Sequence, residues 1–385
     1  MNTEYDAVIV GGGPIGCRVA GGLALAGYQV KVLEKKPSLE LPICCTSLVS
    51  EECFRKFDLD LKLVIKSFHS AVLFSPSSID IHLSRDHVQA HLLNRPELDK
   101  YLLQKAVQSG CSLSMNTLVT GISPKENCVE IEIERNNVRQ VIRARVAVIS
   151  AGFGLPFTRG TGVKRHRDSA IGVQAMVKAE LTEIEIYLNK KYAPGFFAWL
   201  VPISGFEAFA GLIARRNAKK QFGVFVEQLL KDGKIKECSK PVLRGITMNS
   251  TNKTYGTRFL LVGDCAGQVK PLTGGGIYYG LLSADIAVEV LKDAFRINDL
   301  SDKFLSLYER KWRILLDKEI KPAKYFRKIF SLFNNGQIDF AIDFIKRHNI
   351  DERLSSSEIG FDWHGAAIKR ALCSRSLFRS EENNG

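Results

Sequence analysis

Residues 5 to 36 read YDAVIVGGGPIGCRVAGGLALAGYQVKVLEKK, and this stretch decides the fold. A short apolar run, Ala7 to Val10, leads into a turn in which Gly11, Gly13 and Gly16 satisfy G-x-G-x-x-G. A small-residue segment of helical character extends to Ala26, and a second apolar run ends at Glu34. The order strand, turn, helix, strand is that of a dinucleotide-binding unit. In such a unit Gly11 makes the tight turn, Gly13 lets a pyrophosphate approach the backbone, and Gly16 lets the helix pack on the strand. The pyrophosphate then meets unpaired N–H groups at the positive end of the helix. Glu34, 18 residues after Gly16, stands where a carboxylate accepts hydrogen bonds from an adenosine ribose and repels a 2′-phosphate. The motif does not separate FAD from NAD.

The chain has 385 residues, 45% hydrophobic and 25% charged, room for two or three ordinary globular domains. It enters an apolar strand within a few residues, without a signal-like segment, and no uncharged run reaches the length of a bilayer span. The expected location is therefore cytoplasmic. Nine cysteines include no C-x-x-C pair and are odd in number, which argues against a zinc site and a secreted disulfide framework. Only the adjacent Cys44 and Cys45 raise a functional question.

A net charge of +13 suits anionic lipid, a diphosphate or nucleic acid. Arg143, Arg145, Lys164, Arg165, Arg167, Arg215, Arg216, Lys219 and Lys220 fall in short basic runs. These runs lack the aromatic interleaving of a nucleic-acid face, so no nucleic-acid partner is expected.

Ser50-Glu51-Glu52 has the character of a helix start, and residues 61–93 contain alternating stretches such as SIDIHL that fit strands. In NRPELDKYLLQKAVQSG, Pro96 fits a first helical turn and leaves Arg95 at a strand-to-helix junction, its guanidinium free to reach sideways; Gly110 closes the helix. Residues 111–150 return to alternating strands. Between 168 and 215 the pattern is again strand-rich, with Phe197, Trp199 and Val201 alternating onto one face and FAGLIAR following.

A second motif reads RFLLVGDCAGQVKPLTGGGIYYGLLSADIAVEVLKDA. An apolar strand ends at Gly263-Asp264, and Gly274, Gly275 and Gly276 open a helix whose N–H groups favour negative charge. A flavin needs this near N1 and its C2 carbonyl, and Asp264 suits a ribityl hydroxyl. Beyond Leu300 the chain is helical and aromatic. In AKYFRKIFSLF, Tyr325, Phe326, Ile329, Phe330 and Phe333 recur at helical spacing among basic residues. Such a helix covers a core or lies on a membrane, and a core is expected here.

With both glycine motifs in view, the chain resembles flavoproteins of the para-hydroxybenzoate hydroxylase class, and within them the geranylgeranyl reductase family, from about residue 4 to about 330. YAPGFFAWLVP is similar to the family's aromatic motif, here Phe197, Trp199 and Pro202. CCTSLVS is similar to its cysteine motif, with Ser47 where the family usually carries glycine and Cys45 the preferred match of the two cysteines. The resemblance implies FAD contacts at Gly11, Gly13, Pro14, Ile15, Gly16, Glu34, Cys44, Cys45, Ser47, Arg95, Val119 through its backbone, Asp264, Gly276 and Ile277.

It further implies an α/β fold: a Rossmann-like FAD domain (1–165 with 245–300, including an inserted segment of about 60–93) and an antiparallel substrate domain (166–244); the residues themselves add a helical C-terminal region (301–372) and a tail (373–385) expected to be disordered. The implied reaction is hydrogenation of carbon–carbon double bonds in geranylgeranyl chains carried on a lipid or diphosphate. Phe197 and Trp199 would wall the slot for the chain, and Cys45 would donate a proton or tune the flavin. No second dinucleotide motif supports an NAD(P)H site, so the electron donor would be NAD(P)H bound without a second dinucleotide fold, or a ferredoxin, and contact with the membrane surface is open. Rival activities on the same scaffold are aromatic hydroxylation or halogenation, and electron transfer to quinone.

Overall fold

The computed structural model describes residues 4–38, 45–154, 161–163, 168–249, 251–355, 360–366 and 368. Five strands run parallel in the order Phe259–Leu261, Val138–Ile149, Tyr5–Val10, Val30–Leu33 and Ser112–Ser114. Parallel strands covered on both faces read as continuous apolar runs, and Ala7, Val8 and Ile9 are fully buried. One face carries the helices Pro14–Leu25, Arg95–Gln108, Ile277–Arg296 and Asp302–Phe330, which share its apolar core. The antiparallel strands Leu118–Pro124 and Val129–Arg135 fold over the other face from the long strand Val138–Ile149. The first helix can lie close because a Cβ at Gly16 would come within 2.0 Å of the Gly11 carbonyl oxygen, and one at Gly22 within 2.8 Å of Val288.

The second sheet is built around Ser169–Lys178, Glu207–Ala214, Ala198–Pro202 and Ile184–Tyr187, antiparallel neighbours in that order. Helix Ala218–Lys231 covers its far face with Phe222, Phe225 and Leu229. This sheet is larger than expected. Ser70–Phe74 pairs parallel with Ile184–Tyr187, and Asp80–Ser84 pairs with Ser70–Phe74, so part of the 60–93 segment belongs with the second sheet and not with the dinucleotide domain. Val242–Thr247 also joins it, across the expected boundary at 244. Alternation in sequence sets which face a strand buries, not which strand it pairs with. The remaining strands of the segment, Val64–Phe68 and Ala90–Leu93, form a small third sheet with Leu48–Ser50.

A second expectation is corrected at the end of helix Asp302–Phe330. Phe330 and Phe333 do pack against Ile338 and Ile342 of the next helix. Tyr325 and Leu332, however, are 68% and 77% exposed, and Phe326 and Ile329 are exposed beside them. The apolar stripe is wider than the core available to cover it. The tail from 373 lies outside the described residues.

The long helix also braces the second glycine motif. The Gly263 amide donates to Gln268 Oε1 at 2.7 Å, Gln268 Nε2 to the Tyr308 hydroxyl at 2.8 Å, and that hydroxyl to the Leu261 carbonyl at 2.9 Å. All are buried, and burial holds the Tyr308 hydroxyl far above its ordinary pKa, so it stays a neutral donor. Tyr308→Phe leaves two buried partners unsatisfied and is expected to cost about 1–3 kcal/mol, read as a lowered denaturation midpoint at unchanged m-value.

Candidate functional site

Both glycine turns open onto one cavity of about 1330 Å³. Pockets for drug-sized ligands span about 300–1,000 Å³, so this one has room for a dinucleotide and a second molecule.

The first wall is the turn after Tyr5–Val10. Gly11 has φ +107°, and a Cβ there would lie 2.5 Å from the Ser150 carbonyl oxygen. Nothing stands within 4 Å of a Cβ built on Gly13, which leaves its backbone open to a ligand. Glu34 is buried, accepting from the Gly12 amide at 2.7 Å and the Lys36 amide at 2.9 Å. Its carboxylate is thereby aimed along the turn and retains lone pairs for ribose hydroxyls.

The second wall follows Gly263, whose φ of +84° turns the chain beside Ile15. A Cβ on Gly276 would fall 2.2 Å from Asp264 Oδ1, so the carboxylate rests against the start of helix Ile277–Arg296. Neither that helix nor Pro14–Leu25 has a side-chain cap. Two sets of free N–H donors therefore face the cavity, the arrangement an anionic dinucleotide requires.

The third wall joins Cys45, Thr46, Ser47 and Arg95. Arg95 begins helix Arg95–Gln108 but its guanidinium is not free: Nε donates to Asp99 Oδ1 at 2.9 Å, and Cys45 lines the cavity beside it. Burial works against its charge, yet Cys45 and Asp99 outweigh burial and hold it above its ordinary pKa. Ser47 has φ +57°, a conformation uncommon outside glycine. Its hydroxyl is buried without a partner, a donor available to a ligand. Thr46 donates to Gln174 at 2.6 Å and ties this wall to the second sheet.

The fourth wall is apolar. Phe197, Trp199 and Val201 face the cavity together with Ile184 and Ile186. The Phe197 and Trp199 rings lie 5.8 Å apart, tilted by 55°. Trp199 lies across Gly211 of the neighbouring strand, where a Cβ would come within 2.3 Å of its ring.

Gly11, Gly13, Pro14, Ile15, Glu34, Cys45, Ser47, Arg95, Val119, Asp264, Gly276 and Ile277 all line this cavity. Gly16 does not: it lies behind the turn, where close packing explains it. Cys44 is outside the described residues. Sequence reasoning missed Gly211, Arg244, Lys270 and the segment Phe361–His364, which reaches the cavity from near the C-terminus. The cluster of ring, carboxylate and imidazole in GFDWHG was the one signal that could have drawn attention to it. Among the described residues no cluster of His, Cys, Asp or Glu is arranged to hold a metal ion.

The FAD binding domain family matches residues 4–288. A digeranylgeranylglycerophospholipid reductase of Methanocaldococcus jannaschii is 28% identical, over 88% of this chain and 90% of that protein. Digeranylgeranylglycerophospholipid reductase 2 of Methanothermobacter thermautotrophicus is 27% identical, over 87% and 90%. Among solved structures, a geranylgeranyl bacteriochlorophyll reductase-like protein from Thermoplasma acidophilum superposes with a TM-score of 0.86 at 22% identity, covering 97% of each chain. The flavin-dependent halogenase CmlS gives 0.70 at 17% identity, covering 97% of this chain and 77% of its own.

Removing the carboxylate of Glu34 takes away a charged acceptor worth about 1.5–3 kcal/mol. Glu34→Ala is expected to raise the Kd for FAD about tenfold or more, measured by titrating apoprotein with flavin and following fluorescence.

Proposed function

This chain belongs to the FAD binding domain family, and from that premise we propose that it reduces carbon–carbon double bonds of geranylgeranyl chains on a glycerophospholipid. The observation that carries the reading is the apolar wall of Phe197, Trp199 and Val201 opening into the same cavity as both glycine turns. Hydroxylated or charged substrates would leave their polar groups unpaired against it. The names and coverage of the curated relatives support the same lipid class.

Bound FAD, once reduced, supplies the hydride. The open backbone at Gly13 and the Glu34 carboxylate would hold its adenosine diphosphate half, while Asp264, Gly276 and Ile277 would hold the flavin half. An unactivated alkene offers no carbonyl to polarise, so catalysis rests on positioning and on a proton donor. Phe197 and Trp199 hold the chain flat. Cys45, which lines the cavity with Arg95, would donate the proton to the second carbon or tune the flavin. The electrons come from NAD(P)H or a ferredoxin.

The lipid is taken from the cytoplasmic face of a membrane. Among the described residues no helix is long and apolar enough to cross one, but the exposed Tyr325, Phe326, Ile329 and Leu332 form an apolar patch with Lys328 beside it. This helix end is tied to the loop ahead of Phe197. Lys190 donates through its amide to Asn335 Oδ1 at 3.0 Å and through Nζ to the Ser331 carbonyl at 3.2 Å, and Arg327 lies 5.6 Å over the Phe196 ring. Arg215, one of the basic residues considered for a lipid headgroup, is instead engaged by Asp168 at 2.5 Å, which also takes Arg327 at 3.0 Å.

Dithionite-reduced holoprotein, mixed anaerobically with a digeranylgeranylglycerophospholipid, is expected to re-oxidise while product masses rise by two hydrogens per step. A reduced flavin indifferent to prenyl lipid but forming a hydroperoxide with oxygen would favour hydroxylase or halogenase chemistry instead. Gly211→Ala drives the Trp199 ring from its place, and a misplacement of about 1 Å costs about 100-fold in turnover; FAD affinity should stay within about twofold. Tyr325→Glu with Leu332→Glu is expected to lower co-sedimentation with phosphatidylglycerol vesicles about tenfold or more, since each buried apolar side chain contributes about 1.5–3 kcal/mol.

A further inference from the structure

We propose that Lys270 and Asp362 form a buried charge pair that sets the reduction potential of the bound flavin. The inference rests on FAD binding and is independent of which lipid is reduced.

Lys270 belongs to the second glycine loop. Its amide donates to the Gly275 carbonyl at 3.0 Å, its carbonyl accepts from the Gly274 amide at 2.8 Å, and its Cε would lie 2.8 Å from a Cβ on Gly275. The lysine stem therefore runs along the loop that lines the cavity, in front of helix Ile277–Arg296. Its Nζ stands 2.5 Å from Asp362 Oδ1 and 4.9 Å from the Phe361 ring. The two side chains are 7% and 1% exposed.

Asp362 is held there from several directions. The Tyr279 hydroxyl donates to its carbonyl at 3.0 Å, and the neighbouring Trp363 donates through Nε1 to Glu52 at 2.6 Å. Asp362 Oδ2 is buried with no hydrogen-bond partner. A buried ion pair with an unsatisfied oxygen is a poor source of stability, and a well-packed apolar pair would serve the fold as well. What such a pair does supply is fixed charge in a place of low dielectric.

Two titratable neighbours, His364 and Cys53, add no charge beside it. Burial, with repulsion from Lys270 next, drives the His364 imidazole down to about 4, so it is neutral. Burial and Asp362 push the Cys53 thiol far up against the opposing effect of Lys270, so it is neutral too. Glu52 is engaged by Tyr278 and Trp363, and Glu319 by the Ala366 amide at 3.1 Å.

Reduction of a flavin adds negative charge to the ring. An ammonium beside the loop favours the reduced form and a carboxylate opposes it, so the two members of the pair act in opposite directions. A purely structural role would not give opposite signs.

The test is the two-electron midpoint potential of substrate-free holoprotein, titrated anaerobically against reference dyes. Lys270→Met is expected to lower the ratio of reduced to oxidised flavin at fixed potential about tenfold, a shift of about 30 mV for two electrons. Asp362→Asn is expected to raise it by the same order. Lys270→Arg, which keeps the charge, should stay within about twofold. Shifts of the same sign in Lys270→Met and Asp362→Asn, or shifts under twofold in both, overturn the proposal. If Lys270→Met does not retain flavin, Asp362→Asn decides alone, and the absence of a positive shift overturns it. Because no prenyl lipid is present, failure here is separate from failure of the substrate assignment.

Discussion

Backbone amides from two distant glycine turns have to meet in one cavity, and the rest of the structure follows from that constraint. The turns sit at the ends of Tyr5–Val10 and Phe259–Leu261, strands separated in the sheet only by Val138–Ile149. Parallel order puts both turns at the same edge. The hydrogen bonds from Gly263 through Gln268 to Tyr308 then hold the second turn in place, so helix Asp302–Phe330 supports the cavity although it is remote from that turn's strand in sequence.

The second sheet completes the cavity by supplying what the first cannot. A parallel sheet flanked by helices offers amides and small residues at its turns, but no broad apolar surface open to a ligand. The antiparallel sheet offers that surface because alternate residues of Ala198–Pro202 face inward. Thr46 and Gln174 tie the two halves together beside Arg95, so the polar and apolar walls share one border. The fold thus sets the two glycine turns beside an apolar wall in one cavity.

Charge is distributed with less freedom than the net value of +13 implies. Arg143 binds Glu130, Arg145 binds Asp6, and Arg215 binds Asp168, so several basic residues that look available in the sequence are engaged in the fold. Two largely buried pairs, Arg95 with Asp99 and Lys270 with Asp362, line the cavity instead. Exposed apolar residues, conversely, gather at the end of the long helix, where the sequence pattern alone pointed to a core.

The sequence by itself determined the local devices: a glycine where φ is positive, an acid at a fixed distance from the turn, a small residue where a helix meets a strand, and aromatic residues alternating onto one face. Each depends on neighbours within about one element, so spacing carries it. Only the tertiary structure decided that Ser70–Phe74 pairs with Ile184–Tyr187, that Gly211 makes room for Trp199, that Arg95 lines the cavity with Cys45, and that Asp362 meets Lys270 across 92 positions. Those depend on which surfaces meet after the chain has folded back on itself, and no periodicity in the sequence encodes the partner.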